Sequence, residues 1–246
     1  MRLLISNDDG VHAKGINVLA DELKKIAKVT VVAPDRERSA AAHSLTLHHP
    51  LRVEKVKTSY YAVSGTPTDS VILGVCEVLK KKPDIVVAGI NNGPNLGDDI
   101  TYSGTVAAAI EGTLLGIPSF AISMASNNDY NFETGAHYAK IIVNMIMKHG
   151  LPADTLLNVN VPNLPVDEVQ GIMITRQGKR VYDNSIVKKK DPRGKDYYWM
   201  GGEEIGFKNE PGTDFEAIGM GCVSVTPVKL DLTNHDAIRE LKDWEI

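Results

Sequence analysis

Short and almost uninterrupted apolar runs recur along the first two-thirds of the chain, each followed by residues at helical spacing. The runs are Arg2-Leu3-Leu4-Ile5-Ser6, Val29-Thr30-Val31-Val32-Ala33, Asp84-Ile85-Val86-Val87-Ala88-Gly89, Pro118-Ser119-Phe120-Ala121-Ile122-Ser123 and Leu156-Leu157-Asn158-Val159-Asn160-Val161. Continuous runs, unlike alternating ones, suit strands covered on both faces. Helices are predicted over 17–27, 67–80, 103–115 and 131–148; in the first, Val18, Leu19, Leu23 and Ile26 share one side. Strands that alternate with helices predict an α/β fold built on a mostly parallel sheet flanked by helices.

Two stretches depart from this rhythm. Between the second and third runs, 44–47 and 51–56 read as short strands, followed by 60–63. Gly65-Thr66-Pro67-Thr68-Asp69 then opens a helix, with Thr66 at the N-cap, Pro67 in the first turn and Asp69 at the positive end. That helix is read as ending in Lys80-Lys81-Lys82, the charge expected at a C-terminus. Beyond Pro162 the alternation fades, and 176–221 is polar and Gly-rich, with Lys188-Lys189-Lys190 and Tyr197-Tyr198-Trp199. The expected organisation is a catalytic domain over 1–175 and a smaller region over 176–246 made of hairpins, an oligomerisation arm and a final helix.

Composition limits the partners. The 246 residues carry a net charge of -4, which opposes broad binding to nucleic acid. No stretch approaches the roughly 20 apolar residues of a membrane span, and no secretory leader is read at the start. Cys76 and Cys222 form no CxxC pair, so neither a zinc ribbon nor a disulfide framework is indicated. A cytoplasmic protein is expected.

The chemistry sits in the loops. Asn7-Asp8-Asp9-Gly10 leaves the first strand, Asp35-Arg36-Glu37-Arg38-Ser39 the second, and Gly89-Ile90-Asn91-Asn92-Gly93-Pro94-Asn95 the strand at 84–89. In a parallel sheet such loops line the ligand crevice. Adjacent carboxylates repel strongly unless neutralised, and a divalent cation neutralises them well. Carboxylate, hydroxyl and amide oxygens from Asp8, Asp9, Ser39 and Asn91 or Asn95 suit magnesium, manganese or calcium. Ser103-Gly104-Thr105 opens a helix whose free N–H groups can receive a phosphate.

Singly, each piece has a plainer reading: Asp-Asp-Gly and Asn-Gly-Pro-Asn are turn chemistry, and Ser103 caps its helix in any case. Their placement at one edge of one sheet is what points to a site. His12 and His43 lie in or near the same loops, and Lys188 to Lys190 read as a solvated loop. The first turn is not GxGxxG and no GxxxxGK[ST] occurs, which argues against a dinucleotide site or a P-loop.

Taken in order, Asn7-Asp8-Asp9-Gly10, Ala33-Pro34-Asp35-Arg36 with Arg38-Ser39, Gly65-Thr66-Pro67 with Asp69, Gly89-Ile90-Asn91 with Gly93-Pro94-Asn95, and Tyr102-Ser103-Gly104-Thr105 resemble the survival protein E (SurE) family of metal-dependent 5′-nucleotidases. Asn158-Val159-Asn160-Val161-Pro162 and Thr226-Pro227-Val228 extend the resemblance to nearly the whole chain. It implies a Rossmann-like domain and a C-terminal region exchanged within a homodimer or homotetramer. It implies hydrolysis of nucleoside monophosphates, 5′ and also 3′, and of short polyphosphate. It implies one Mg2+ or Mn2+ per subunit on Asp8, Asp9, Ser39 and Asn91, with Asn95 beside it. Phosphate would fall on Ser103, Gly104 and Thr105, and an acid–histidine pair on Asp231 and His235. Asp8 or Asp9 would activate water or attack directly. A nucleotide-binding module without hydrolysis, or a metal-dependent glycosyltransferase using nucleotide sugars, are the competing readings.

Overall fold

A computed structural model describes residues 1–126, 128–181, 186–200, 206–208 and 210–244. Within the region expected over 176–246, residues 182–185, 201–205, 209, 245 and 246 therefore lie outside the described residues, as does residue 127.

The strands in chain order are β1 (Arg2–Ser6), β2 (Lys28–Pro34), β3 (Val53–Lys57), β4 (Tyr60–Val63), β5 (Ile85–Asn91), β6 (Ser119–Ala125), β7 (Thr155–Pro162), β8 (Ile172–Ile174), β9 (Ile186–Lys190), β10 (Asp196–Met200) and β11 (Val223–Lys229). The helices are α1 (Lys14–Leu23), α2 (Pro67–Leu73), α3 (Gly104–Leu114), α4 (Phe132–His149), α5 (Asp214–Gly219) and α6 (His235–Leu241). One nine-stranded sheet runs β3-β4-β2-β1-β5-β6-β7-β11-β8, and β9 and β10 form a separate antiparallel pair. From β4 through β7 every neighbour is parallel, while β3 and β11 pair antiparallel at the two ends of that block.

Both faces of the sheet are buried at its central strands β1, β2, β5, β6 and β7, as the continuous runs require, whereas the edge strand β3 is exposed. Leu3 and Ile5 of β1 join a core with α1 and α4, while Leu4 joins the opposite core with Val71 of α2 and Val106, Ala108 and Ala109 of α3. On α1, Ile16, Leu19, Ala20 and Leu23 are buried, the i, i+3, i+4, i+7 stripe of a helix laid on a sheet. Each buried Ile or Leu of this stripe contributes roughly 1.5–3 kcal/mol.

Several boundaries differ from expectation, each for a local reason. Residues 44–47 form no strand. Their backbone is tied instead to the start of α2: Thr46 N–H donates to Asp69 Oδ1 (3.1 Å), and Thr66 Oγ1 donates to the Ser44 carbonyl (2.8 Å). The helix predicted over 17–27 begins earlier, at Lys14, once Ala13 N–H closes a turn onto the Gly10 carbonyl, and it stops at Leu23. The helix predicted over 67–80 has the expected capping box, with Asp69 N–H donating to Thr66 Oγ1 (3.1 Å) and Thr66 N–H to Asp69 Oδ2 (2.9 Å). It is α-helical only to Leu73 and ends in a π turn at Gly74–Val78, so Lys80 to Lys82 lie beyond it.

Candidate active site

The chain moves outward from β1 to β2 and β4, then returns through α2 to β5 on the other side of β1. The order reverses between β1 and β5, and crevices for ligands open at the carboxyl ends of strands at such a point. Asp8 and Asp9 follow β1, and Asn91 ends β5.

The turn after β1 is closed by Asn7: Gly10 N–H donates to Asn7 Oδ1 (3.2 Å) and Asn7 Nδ2 to the Gly10 carbonyl (3.1 Å). Gly10 has φ +100°, and a Cβ there would stand 3.1 Å from the Arg36 carbonyl carbon. The loop after β2 packs directly on this turn, with Arg38 N–H donating to the Asp8 carbonyl (2.7 Å) and Val11 N–H to the Pro34 carbonyl (2.9 Å). Ser39 is thereby carried to the same side as the two acids.

The N-terminus of α3 closes the site from behind. Thr105 Oγ1 donates to Asp8 Oδ1, and the same hydroxyl oxygen lies 3.2 Å from Asn91 Oδ1. Gly104 makes this possible, since a Cβ would come within 2.8 Å of Asp8 Cβ and 2.9 Å of its Oδ2. Asn91 is oriented by donation from its Nδ2 to the Gly93 carbonyl (2.9 Å), which turns its oxygen toward Thr105. A hydroxyl has one hydrogen. With that hydrogen on Asp8, the Asn91 oxygen faces Thr105 with no hydrogen between them.

Electrostatics add to this concentration of oxygen atoms. Burial raises the Asp8 carboxyl above its ordinary range, against the Thr105 hydrogen bond. Burial first, and the Asp8 charge second, push Asp9 up to about 7. Asn92 N–H donates to Asp9 Oδ2 at 3.3 Å. No Lys, Arg or His is among the described residues lining the space beside the two acids, and this oxygen set fits a hard cation. Among the described residues no three His, Cys, Asp or Glu side chains gather as a metal-binding group. An ion would therefore rest on two carboxylates, neutral oxygens and solvent, the pattern of magnesium rather than zinc.

A cavity of about 350 Å³ opens here, lined by Asp8, Asp9, Ser39, Asn91, Asn95 and Ser103 among others. Six of the residues expected from sequence thus share one space, and Gly104 and Thr105 stand behind Asp8. Glu37, Asn92, Asp99 and Tyr102 also line it, without having been singled out from sequence. Glu37 accepts from Ser39 Oγ (2.6 Å), and Asp99 is paired with Arg180 (2.7 Å). Ser103 accepts from Val106 N–H (3.1 Å), which leaves its own O–H free to donate.

Asn95 is held by polar groups of β6 and β7. Its N–H donates to Asn160 Oδ1 (2.8 Å), its carbonyl accepts from Asn158 and Asn160 (2.8 and 2.9 Å), and its Nδ2 donates to Ser123 Oγ (2.7 Å). Two asparagines in an otherwise apolar run were the available signal.

Asp231 and His235 are not brought to this cavity. β11 runs against β7, with Lys229 opposite Thr155 at the start of β7. The chain therefore leaves β11 at the edge of the sheet remote from Asp8 and Asp9. There His235 Nε2 and Asp231 Oδ2 contact each other at 2.6 Å in the open, and this hydrogen bond holds Asp231 below the ordinary carboxylate range. His43 pairs with Glu111 of α3 (2.9 Å), and His12 is exposed. Lys188 pairs with Asp196 (2.7 Å) inside the β9–β10 hairpin.

The model of the family described as Survival protein SurE matches residues 3–184. The chain belongs to the SurE family. The protein named 5′-nucleotidase SurE from Geobacter sulfurreducens is 55% identical over 100% of this chain and 94% of its own length. The protein of the same name from Nitrosococcus oceani is 52% identical, over 99% of this chain and 97% of its own. The crystal structure of the SurE protein from Aquifex aeolicus superposes with a TM-score of 0.91 at 50% identity, covering 98% of each chain. No helix among the described residues is long and apolar enough to cross a membrane.

Proposed function

We propose that this SurE-family chain is a 5′-nucleotidase, a metal-dependent phosphomonoesterase that converts nucleoside 5′-monophosphates to nucleoside and phosphate. The carrying observation is the gathering of Asp8, Asp9 and the Asn91 oxygen against the N-terminus of α3 at the β1/β5 reversal. The names of the relatives support the same activity.

Asp8, Asp9, Ser39 and Asn91 would hold one Mg2+ or Mn2+. When bound, such an ion offsets the carboxylate charge and polarises a phosphoryl oxygen. Asp9 orients or deprotonates the attacking water. Thr105 positions Asp8 through its hydroxyl, and the Ser103 O–H and the Gly104 N–H at the start of α3 receive the phosphoryl oxygens. Asn95 completes the wall on the β6–β7 side. Extension to 3′-monophosphates and short polyphosphate belongs to the same proposal.

The β9–β10 hairpin exposes Ile186, Tyr198 and Trp199, which supports an oligomerisation arm and a homodimer or homotetramer. Two free cysteines fit a cytoplasmic setting. In such an assembly Asp231 and His235 would reach a neighbouring subunit's cavity and protonate the leaving sugar oxygen.

Phosphate release from AMP or GMP with Mg2+ or Mn2+, suppressed by EDTA, is the expected result. Nucleotide binding without release would mean a binding module, and transfer only from a nucleotide sugar would mean a glycosyltransferase.

A further inference from the structure

A larger cavity, of about 560 Å³, lies at the opposite edge of the sheet, where β1, β2 and β4 begin. β1 alone separates it from Asp8, a distance of roughly 17 Å for a strand of that length. Arg2, Lys28, Lys80 and Lys81 line it, with no carboxylate among its described lining residues, while Asp84 stands beside it and pairs with Arg2 (3.8 Å) and the Met1 amine (4.0 Å). In a chain of net charge -4 this is a local reversal of sign. Lys28, Lys80 and Lys81 are in no ion pair among the described residues.

The position of the lysines needs a reason, because the helix dipole does not supply one. The π turn ends at Val78 with no basic residue in its last turn, and Leu79 is extended. Lys80 and Lys81 are held beyond it by Arg2, whose guanidinium donates twice to the Lys82 carbonyl (3.1 and 3.3 Å). The segment is thus tied across the start of β1. Tyr61 and Leu79, both half-buried, supply an apolar wall beside these cations.

The volume exceeds what an inorganic ion needs and matches that of small-molecule sites. Three unpaired ammonium groups call for several negative charges, and an aromatic wall accepts a flat ring. We infer that this cavity binds a nucleoside polyphosphate, with the base against Tyr61 and Leu79 and the phosphates on Lys28, Lys80 and Lys81. The inference stands independently of the chemistry at Asp8 and Asp9.

The test is calorimetric titration of the full chain with ATP in EDTA, with tripolyphosphate as a second probe. ATP should bind wild type, at least tenfold weaker in K28E/K81E with its unfolding midpoint unchanged, and severalfold weaker in Tyr61→Ala, which loses core packing but stays folded at the temperature of the titration. Tripolyphosphate should bind more weakly than ATP and be indifferent to Tyr61→Ala. Equal ATP affinity in K28E/K81E, no ATP binding by wild type, or equal affinity for both probes would overturn the inference. Should the double variant fail to fold, Lys80→Glu alone is read in the same way.

Discussion

Asp9 is the residue on which most depends, because its charge is resisted by burial and by Asp8. Asp9→Asn should leave the fold intact and lower phosphate release from AMP by at least ~10²-fold; near-wild-type turnover would remove it from the mechanism. Gly104 gives a second prediction at this scale. Gly104→Ala places a methyl against Asp8 with no free space, so unfolding measurements should show a loss of about 1–3 kcal/mol together with weakened activity. A neutral result would mean that Asp8 is not pressed against α3. Asp8, Asp9 and Asn91 were legible because loops at one sheet edge can be counted from the order of strands. Glu37 was not, since its role depends on where the Ser39 hydroxyl points, and Asp35-Arg36-Glu37-Arg38 looks like any solvated charged turn. Asn158 and Asn160 were visible as polar interruptions of a buried run, but what they hold became evident only with Asn95 placed beside them.

Between elements, polar side chains fix what the apolar cores leave free. Glu22 of α1 accepts from Lys140 of α4 and from Lys25, both at 2.5 Å, and these bonds hold its carboxyl below the ordinary range. A native value below the unfolded one means stability present at neutral pH and lost as pH falls through the native value. Glu22→Gln should flatten that acid limb and lower stability at pH 7 by no more than about 1 kcal/mol; melts at several pH values would show an unaltered limb if the clamp contributes nothing. Asp214 does comparable work for the loops, accepting N–H groups from Gly97 (2.8 Å), Gly178 and Phe215 (both 2.9 Å) while fully buried. The existence of most elements could be read from apolar periodicity. Their ends could not: 44–47 gave up strand form because Thr66 and Asp69 offered its backbone other partners, a contact between residues some twenty positions apart.

At the level of the molecule, pairing order was the least legible feature. The final strand inserts between β7 and β8 in the main sheet, against the direction of β7. Nothing in a run such as Cys222-Val223-Ser224-Val225-Thr226 announces a partner some seventy residues back or its direction. The consequence falls on Asp231 and His235, which one chain carries to the far edge of its own sheet. If they act, they act on a neighbour: mixing Asp9→Asn with His235→Ala subunits should restore activity that each lacks alone, whereas no recovery would confine the pair to structure. The most direct test of the whole account is calorimetric titration with Mn2+ of the metal-stripped wild-type chain and of Asp9→Asn. One ion per chain, bound at least tenfold more weakly by Asp9→Asn, is the predicted result. Equal affinity in the two proteins would contradict a cation held between the carboxylates after β1.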